Sequence, residues 1–131
     1  MTEPIWVDRG LILNLYEDVV AVSGGAVGLR DEGLLDSALA RPVNRYMYED
    51  VDDLHELGAT YAIAISANHP FIDGNKRMAF IALGQFLLDN GIVLTAEPDD
   101  ATQVMLRVAR SEIGIRELSD WIKTHSVEFR F

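Results

Sequence analysis

The 131-residue chain contains no cysteine, which excludes a disulfide framework, a thiolate nucleophile and any zinc or iron–sulfur site built on sulfur. Cations are scarce too: 11 Lys and Arg stand against 21 Asp and Glu, for a net charge of −10. That sign opposes nucleic-acid phosphates and anionic lipid, so no direct nucleic-acid binding and no membrane association are expected, and a basic protein partner suits the surface better. No apolar run approaches the roughly 20 residues that span a bilayer, and no basic-then-apolar leader opens the sequence, so the expected compartment is the cytoplasm. Alternating polarity over more than a few residues is rare, which argues against a sheet-rich fold. The 49% of apolar residues suffice for a core, and the length suits a single domain over 1–131.

Helical periodicity dominates, and the expected fold is all-α, a compact bundle of about six helices with a small flap or hairpin. Asp8 is placed to cap a first helix with Leu11, Ile12, Leu15 and Val19 on one stripe, ended by Gly24 and Gly25. Asp31 begins a second, short helix carrying Leu34, Leu35, Ala38 and Leu39, which Pro42 is expected to stop. From Val43 to Val51 the pattern alternates without a clean apolar face, the best place for the flap. Glu49, Asp50, Asp52, Asp53 and Glu56 form an acidic run, read as a solvated loop entering a helix N-terminus. Asp53 and Glu56 have capping-box spacing and open a nearly all-apolar helix that must end near His69, ahead of Pro70. Another runs from about Asn75 to Asn90, with Ala79, Ala82, Leu83, Phe86 and Leu87 on its core stripe and Gly91 at C′. Two more are marked by Ala101, Val104, Met105 and Val108, and by Ile115, Leu118, Trp121 and Ile122.

The chemistry lies between two apolar helices, in His69-Pro70-Phe71-Ile72-Asp73-Gly74-Asn75-Lys76-Arg77. Pro70 throws the chain out of the helix so that the His69 imidazole overhangs the connection, and Phe71 anchors the loop in the core. Gly74 supplies a left-handed turn, after which a helix opens with unpaired backbone N–H groups. Lys76 and Arg77 in that first turn oppose the helix dipole, so an anion is expected to offset them. A phosphate fits the N–H groups and both cations, Asp73 can hold Mg²⁺ shared with it, and His69 is the available base for a hydroxyl nucleophile. Each residue also has a plainer reading: turn and cap chemistry for Pro70, Asp73, Gly74 and Asn75, solvent for Lys76 and Arg77, and neutralisation of Arg77 or helix capping for Asp73.

Other motifs are missing. Gly24, Gly25 and Gly28 lack dinucleotide-fingerprint spacing and no Gly-Lys-Ser/Thr phosphate loop exists. His55 and His125 stand alone, and Trp6, Trp121 and the methionines sit at helical core spacings.

The nine-residue segment resembles the signature of the Fic/Doc superfamily, His-x-Phe-x-acid-Gly/Ala-Asn-Gly/Lys-Arg between two buried helices. With Lys76 it is similar to the Doc (death-on-curing) branch, toxins of bacterial toxin–antitoxin modules, and Gly28-Leu29-Arg30-Asp31-Glu32-Gly33-Leu34-Leu35 is also familiar in that context. The resemblance implies a helical bundle whose flap positions a target segment, here Val43 to Val51 with Tyr46 or Tyr48 against the target. It implies that His69 deprotonates the target hydroxyl, that Asp73 binds Mg²⁺, and that Asn75, Lys76 and Arg77 hold the phosphates of ATP. Doc-type enzymes transfer the γ-phosphate to a Ser or Thr hydroxyl, with elongation factor Tu as the known target, and so stop translation. Fic adenylyltransferases usually have Gly at the place of Lys76 and a second Arg at that of Phe80, so AMP transfer is the alternative, and a catalytically silent antitoxin-binding module a third reading. Pro70 and Gly74 are closer to the Fic version. The self-inhibition motif, Ser/Thr-x-x-x-Glu-Gly/Asn, has no complete copy, because Phe129 follows Thr124 and Glu128. A separate antitoxin protein is therefore implied.

Overall fold

The structure is a computed structural model and describes residues 2–23 and 27–129. Six helices and one two-stranded ribbon are found among the described residues: α1 (Arg9–Ser23), α2 (Glu32–Glu49), α3 (Leu54–Asn68), α4 (Asn75–Asp89), β1 (Ile92–Leu94), α5 (Pro98–Ala109), α6 (Ile115–Thr124) and β2 (Ser126–Glu128). The all-α bundle is as expected. None of these helices is long and apolar enough to cross a membrane. The Gly24–Gly25 stop expected for α1 lies outside the described residues.

The caps follow the sequence. Asp8 Oδ2 accepts from the Leu11 N–H, Asp31 Oδ1 from Leu34, and Asp53 Oδ1 from both His55 and Glu56. Burial works to raise the Asp53 carboxyl, but Lys123, 3.1 Å away, and those two N–H groups together hold it below the ordinary carboxylate value. Around α3, packed against α2, α4 and α6, the core fills with Leu57, Tyr61, Ile65, Met78, Leu83, Phe86, Leu87, Leu118 and Ile122, all fully buried. The hydroxyl oxygen of Tyr61 accepts from the Val7 N–H at 3.0 Å, and burial pushes its pKa up to about 12. Trp6 lies on Phe86, while Met47 is exposed instead of joining the core.

Two expectations are corrected. Pro42 does not end the second helix; α2 runs through it to Glu49, and Val43–Glu49 is helical where a flap was expected. A proline inside a helix forfeits one hydrogen bond at about 3 kcal/mol, but here packing prevails. Leu35, Ala38, Leu39, Pro42 and Tyr46 continue one helical stripe, Pro42 is buried, and Tyr46 meets Trp6 edge-on at 5.6 Å. Arg45, one residue earlier, reaches α3 through Thr60 Oγ1 at 3.0 Å and Glu56 at 2.9 Å. So Glu56 pairs with Arg45 instead of closing a capping box, and much of the acidic run is held by Arg45 and Lys123. The ribbon lies elsewhere: Ile92 pairs with Glu128 and Leu94 with Ser126, antiparallel, and α4 turns into it at Gly91, where φ is 86°.

Candidate functional site

The loop from His69 to Gly74 is shaped by its own side chains and by residues distant in sequence. His69 ends α3 in the left-handed region, φ 53° and ψ 54°, its N–H donating to the Ile65 carbonyl at 3.0 Å. A β-carbon in that region costs roughly 1–2 kcal/mol. Arg30 offsets it, its Nε donating to the His69 carbonyl at 2.8 Å and its Nη2 to that of Asn68 at 2.9 Å, two otherwise orphaned acceptors of the helix end. The same strand of chain holds the loop through its backbone. Arg30 N–H donates to the Pro70 carbonyl at 2.7 Å, Leu29 bridges Phe71, and Ile72 N–H donates to Gly28 at 3.0 Å. Tyr16 stacks on Phe71 with ring centroids 4.1 Å apart, and Phe71 is fully buried.

Asn75 closes the loop from the other side. Its Oδ1 accepts from the Phe71 N–H at 2.9 Å and its Nδ2 donates to the Phe71 carbonyl at 2.8 Å. With 5% of the residue exposed, the side-chain amide is engaged in holding the loop. Gly74 takes φ 86°, where a side chain would be strained. The helix that follows has no side-chain N-cap, so its first N–H groups stay available to an acceptor from outside.

This geometry lines one cavity of about 520 Å³. Ser66 and His69 come from the end of α3, Asp73 and Gly74 from the loop, Asn75, Lys76 and Arg77 from the first turn of α4. Val19 and Val20 of α1 and Leu106, Ala109 and Arg110 of α5 complete the wall. All six residues singled out in the sequence thus share one space. Asp73 Oδ1 accepts from the Gly74 N–H at 2.8 Å. It makes no ion pair with Arg77, and neither Lys76 nor Arg77 has an ion-pair partner among the described residues. Three cations against one carboxylate, in a chain of net charge −10, make this a place for an anion. Among the described residues no group of three or more His, Asp or Glu forms a metal cage. The lone Asp73 carboxylate in this cationic cavity fits the donor set of Mg²⁺, which binds one or two carboxylates and completes its shell with other oxygens and water.

The remaining assignments separate cleanly. Tyr46 packs inside on Trp6 and Tyr48 is exposed on α2; neither lines the cavity. His55 Nδ1 lies 3.2 Å from Asp53, and His125 stacks on Trp121, so both are structural. Thr124 bonds the Trp121 carbonyl and Glu128 sits on the ribbon, away from the cavity wall. Sequence reasoning overlooked Arg30 and Tyr16, whose contacts reach across to the loop from distant segments, and Arg110, which joins the cavity wall from the end of α5.

A model of the Fic/DOC family matches residues 6–87. Over 112 residues the chain is 30% identical to the protein kinase doc of Escherichia phage P1, covering 86% of this chain and 88% of that protein. It is 34% identical over 110 residues to the toxin Doc of Mycolicibacterium smegmatis, covering 79% of this chain and 85% of the other. The bundle, the loop and these matches give one answer: the chain belongs to the Fic/DOC family. Its similarity to these two Doc proteins places it on the Doc branch.

Proposed function

We propose that the chain is a nucleotide-dependent transferase, a Doc-type toxin that moves the γ-phosphate of ATP to a Ser or Thr hydroxyl of a translation factor. The observation that carries this reading is the meeting, in one cavity, of an imidazole and an uncapped helix N-terminus bearing two cations without ion-pair partners among the described residues. A protein kinase and a toxin among the relatives support phosphoryl transfer over AMP transfer. So does Phe80, which stands where the adenylyltransferase pattern has its second arginine.

The first N–H groups of α4 with Lys76 and Arg77 hold the phosphate oxygens. The target hydroxyl enters beside His69. Its oxygen attacks the γ-phosphorus as the bond from that phosphorus to the ADP oxygen breaks, and its proton passes to the imidazole, which later returns it to water. Asp73 is the residue that would hold Mg²⁺, and the ion when bound neutralises charge on the phosphates. Elongation factor Tu is the proposed target and the cytoplasm the proposed place of action. With Thr124 and Glu128 away from the cavity, restraint is assigned to a separate antitoxin, for which basic stretches suit this acidic surface.

The test is transfer from γ-labelled ATP with Mg²⁺ to elongation factor Tu. The unmodified protein labels the factor, while His69→Ala keeps its melting temperature and ATP affinity but transfers roughly 10²–10⁴-fold more slowly. A folded His69→Ala variant that transfers at full rate sinks the base assignment.

A further inference from the structure

The cavity wall contains one cation that no motif accounts for. Arg110 caps the C-terminal end of α5 and stands in the same wall as His69, Lys76 and Arg77, although it lies 33 positions beyond the last of these in the sequence. Its only ion pair among the described residues is a long one, Nη1 to Glu112 Oε1 at 3.9 Å, with both side chains largely open to solvent. Glu112 is shared with Arg107, whose Nε lies 4.0 Å from its other oxygen and which does not line the cavity. A guanidinium so loosely held keeps most of its donors for something else. The end of α5 also stabilises a cation without a carboxylate being spent on it.

We infer that Arg110 is a phosphate-binding residue, reaching the nucleotide's polyphosphate from the α5 wall while Lys76, Arg77 and the α4 N-terminus hold it from the other. This rests on the nucleotide reading above and extends it. The position that carries a second arginine in the adenylyltransferase pattern is Phe80, which is half-buried and lines a neighbouring apolar cavity together with Lys76 and Arg77. The second guanidinium is thus supplied by another helix, from another side, which gives the phosphate chain a different set of anchors. Arginine suits the role because its planar fork binds two phosphate oxygens at once.

The test titrates Mg·ATP and Mg·ADP into the full chain by calorimetry, comparing the unmodified protein with Arg110→Gln, Arg107→Gln and Glu112→Gln. Arg110→Gln weakens ATP binding about tenfold, the loss of one charge-assisted contact, and Arg110→Lys recovers part of it. Arg107→Gln, which removes the same charge from the same helix, stays within twofold of the unmodified protein. Glu112→Gln leaves affinity equal or tighter. If Arg110→Gln binds ATP as the unmodified protein does, Arg110 is no phosphate ligand and the nucleotide reading survives. Equal losses for Arg110→Gln and Arg107→Gln, or for Arg110→Gln and Glu112→Gln, also overturn the assignment, in favour of a general field or of a structural role in the turn after α5. If the unmodified protein binds no ATP, both readings fall together.

Discussion

Removing the Asn75 amide examines how the loop is held independently of its chemistry. Asn75→Ala deletes the two bonds that clamp Phe71 and leaves its N–H and carbonyl without those partners. Each buried backbone group so abandoned costs about 1–3 kcal/mol. Part of the loop faces solvent at Ile72 and Asp73, so water relieves some of this and the sum falls at about 2–4 kcal/mol. For a chain of this size that is a drop in Tm on the order of 10 °C. Asn75→Asp keeps the acceptor for the Phe71 N–H but turns an oxygen toward the Phe71 carbonyl, so it is also destabilised despite its favourable charge at a helix N-terminus. Urea unfolding measures the loss, and hydrogen exchange at the Phe71 amide locates it: protection there collapses while amides in the middle of α3 keep theirs until global opening. An Asn75→Ala protein within 0.5 kcal/mol of the original, with the Phe71 amide still protected, refutes the clamp.

Three further outcomes follow from contacts away from the reacting atoms. Arg30→Lys cannot reproduce the forked grip on the Asn68 and His69 carbonyls and is expected to lose about 1–2 kcal/mol in chemical denaturation; an unchanged midpoint contradicts it. Asp53→Ala costs about 1 kcal/mol at neutral pH through its lost cap. Because the folded carboxyl lies below its ordinary value of 3.8, the charge-dependent part of that gap is full above this value and closes as the pH falls through the folded one. A gap that widens on acidification rejects the sign. Tyr61, raised to about 12, favours the folded state below the unfolded phenol's value near 10 and loses that contribution as the pH rises toward 12. Tyr61→Phe is therefore expected to cost about 1–3 kcal/mol at neutral pH by stranding the Val7 N–H, and to lessen the alkaline loss, as thermal melts at pH 7 and 11 measure.

What the sequence made legible was local. Asp8, Asp31 and Asp53 are caps because their oxygens need only reach two or three residues ahead, and the α4 stripe is readable because 3.6-residue periodicity lies on one helix. Pro42 misled because the rule that stops helices at proline is a local cost, whereas the stripe that overrides it through Tyr46 is stabilised by Trp6 and α3, which are remote. Six residues of the nine-residue motif line one cavity, since residues so near in sequence cannot be far apart. Its supports were hidden: Tyr16 under Phe71 and Arg30 on the His69 carbonyl act across tens of residues. Arg110 reads in sequence as one more surface charge at a helix end. Asn75 was singled out, but its amide's hold on Phe71 was not foreseen, because no spacing rule tells whether a buried amide bonds its own loop.

The most direct trial of the central claim is a single comparison: equal amounts of ATP labelled at the α- or the γ-phosphate, offered with Mg²⁺ and elongation factor Tu to the intact protein. Label from the γ-position on the factor, with ADP released, none from the α-position and none with His69→Ala within the same time, is the predicted result. Transfer of the α-label, or no transfer of either from a protein that binds ATP, contradicts it.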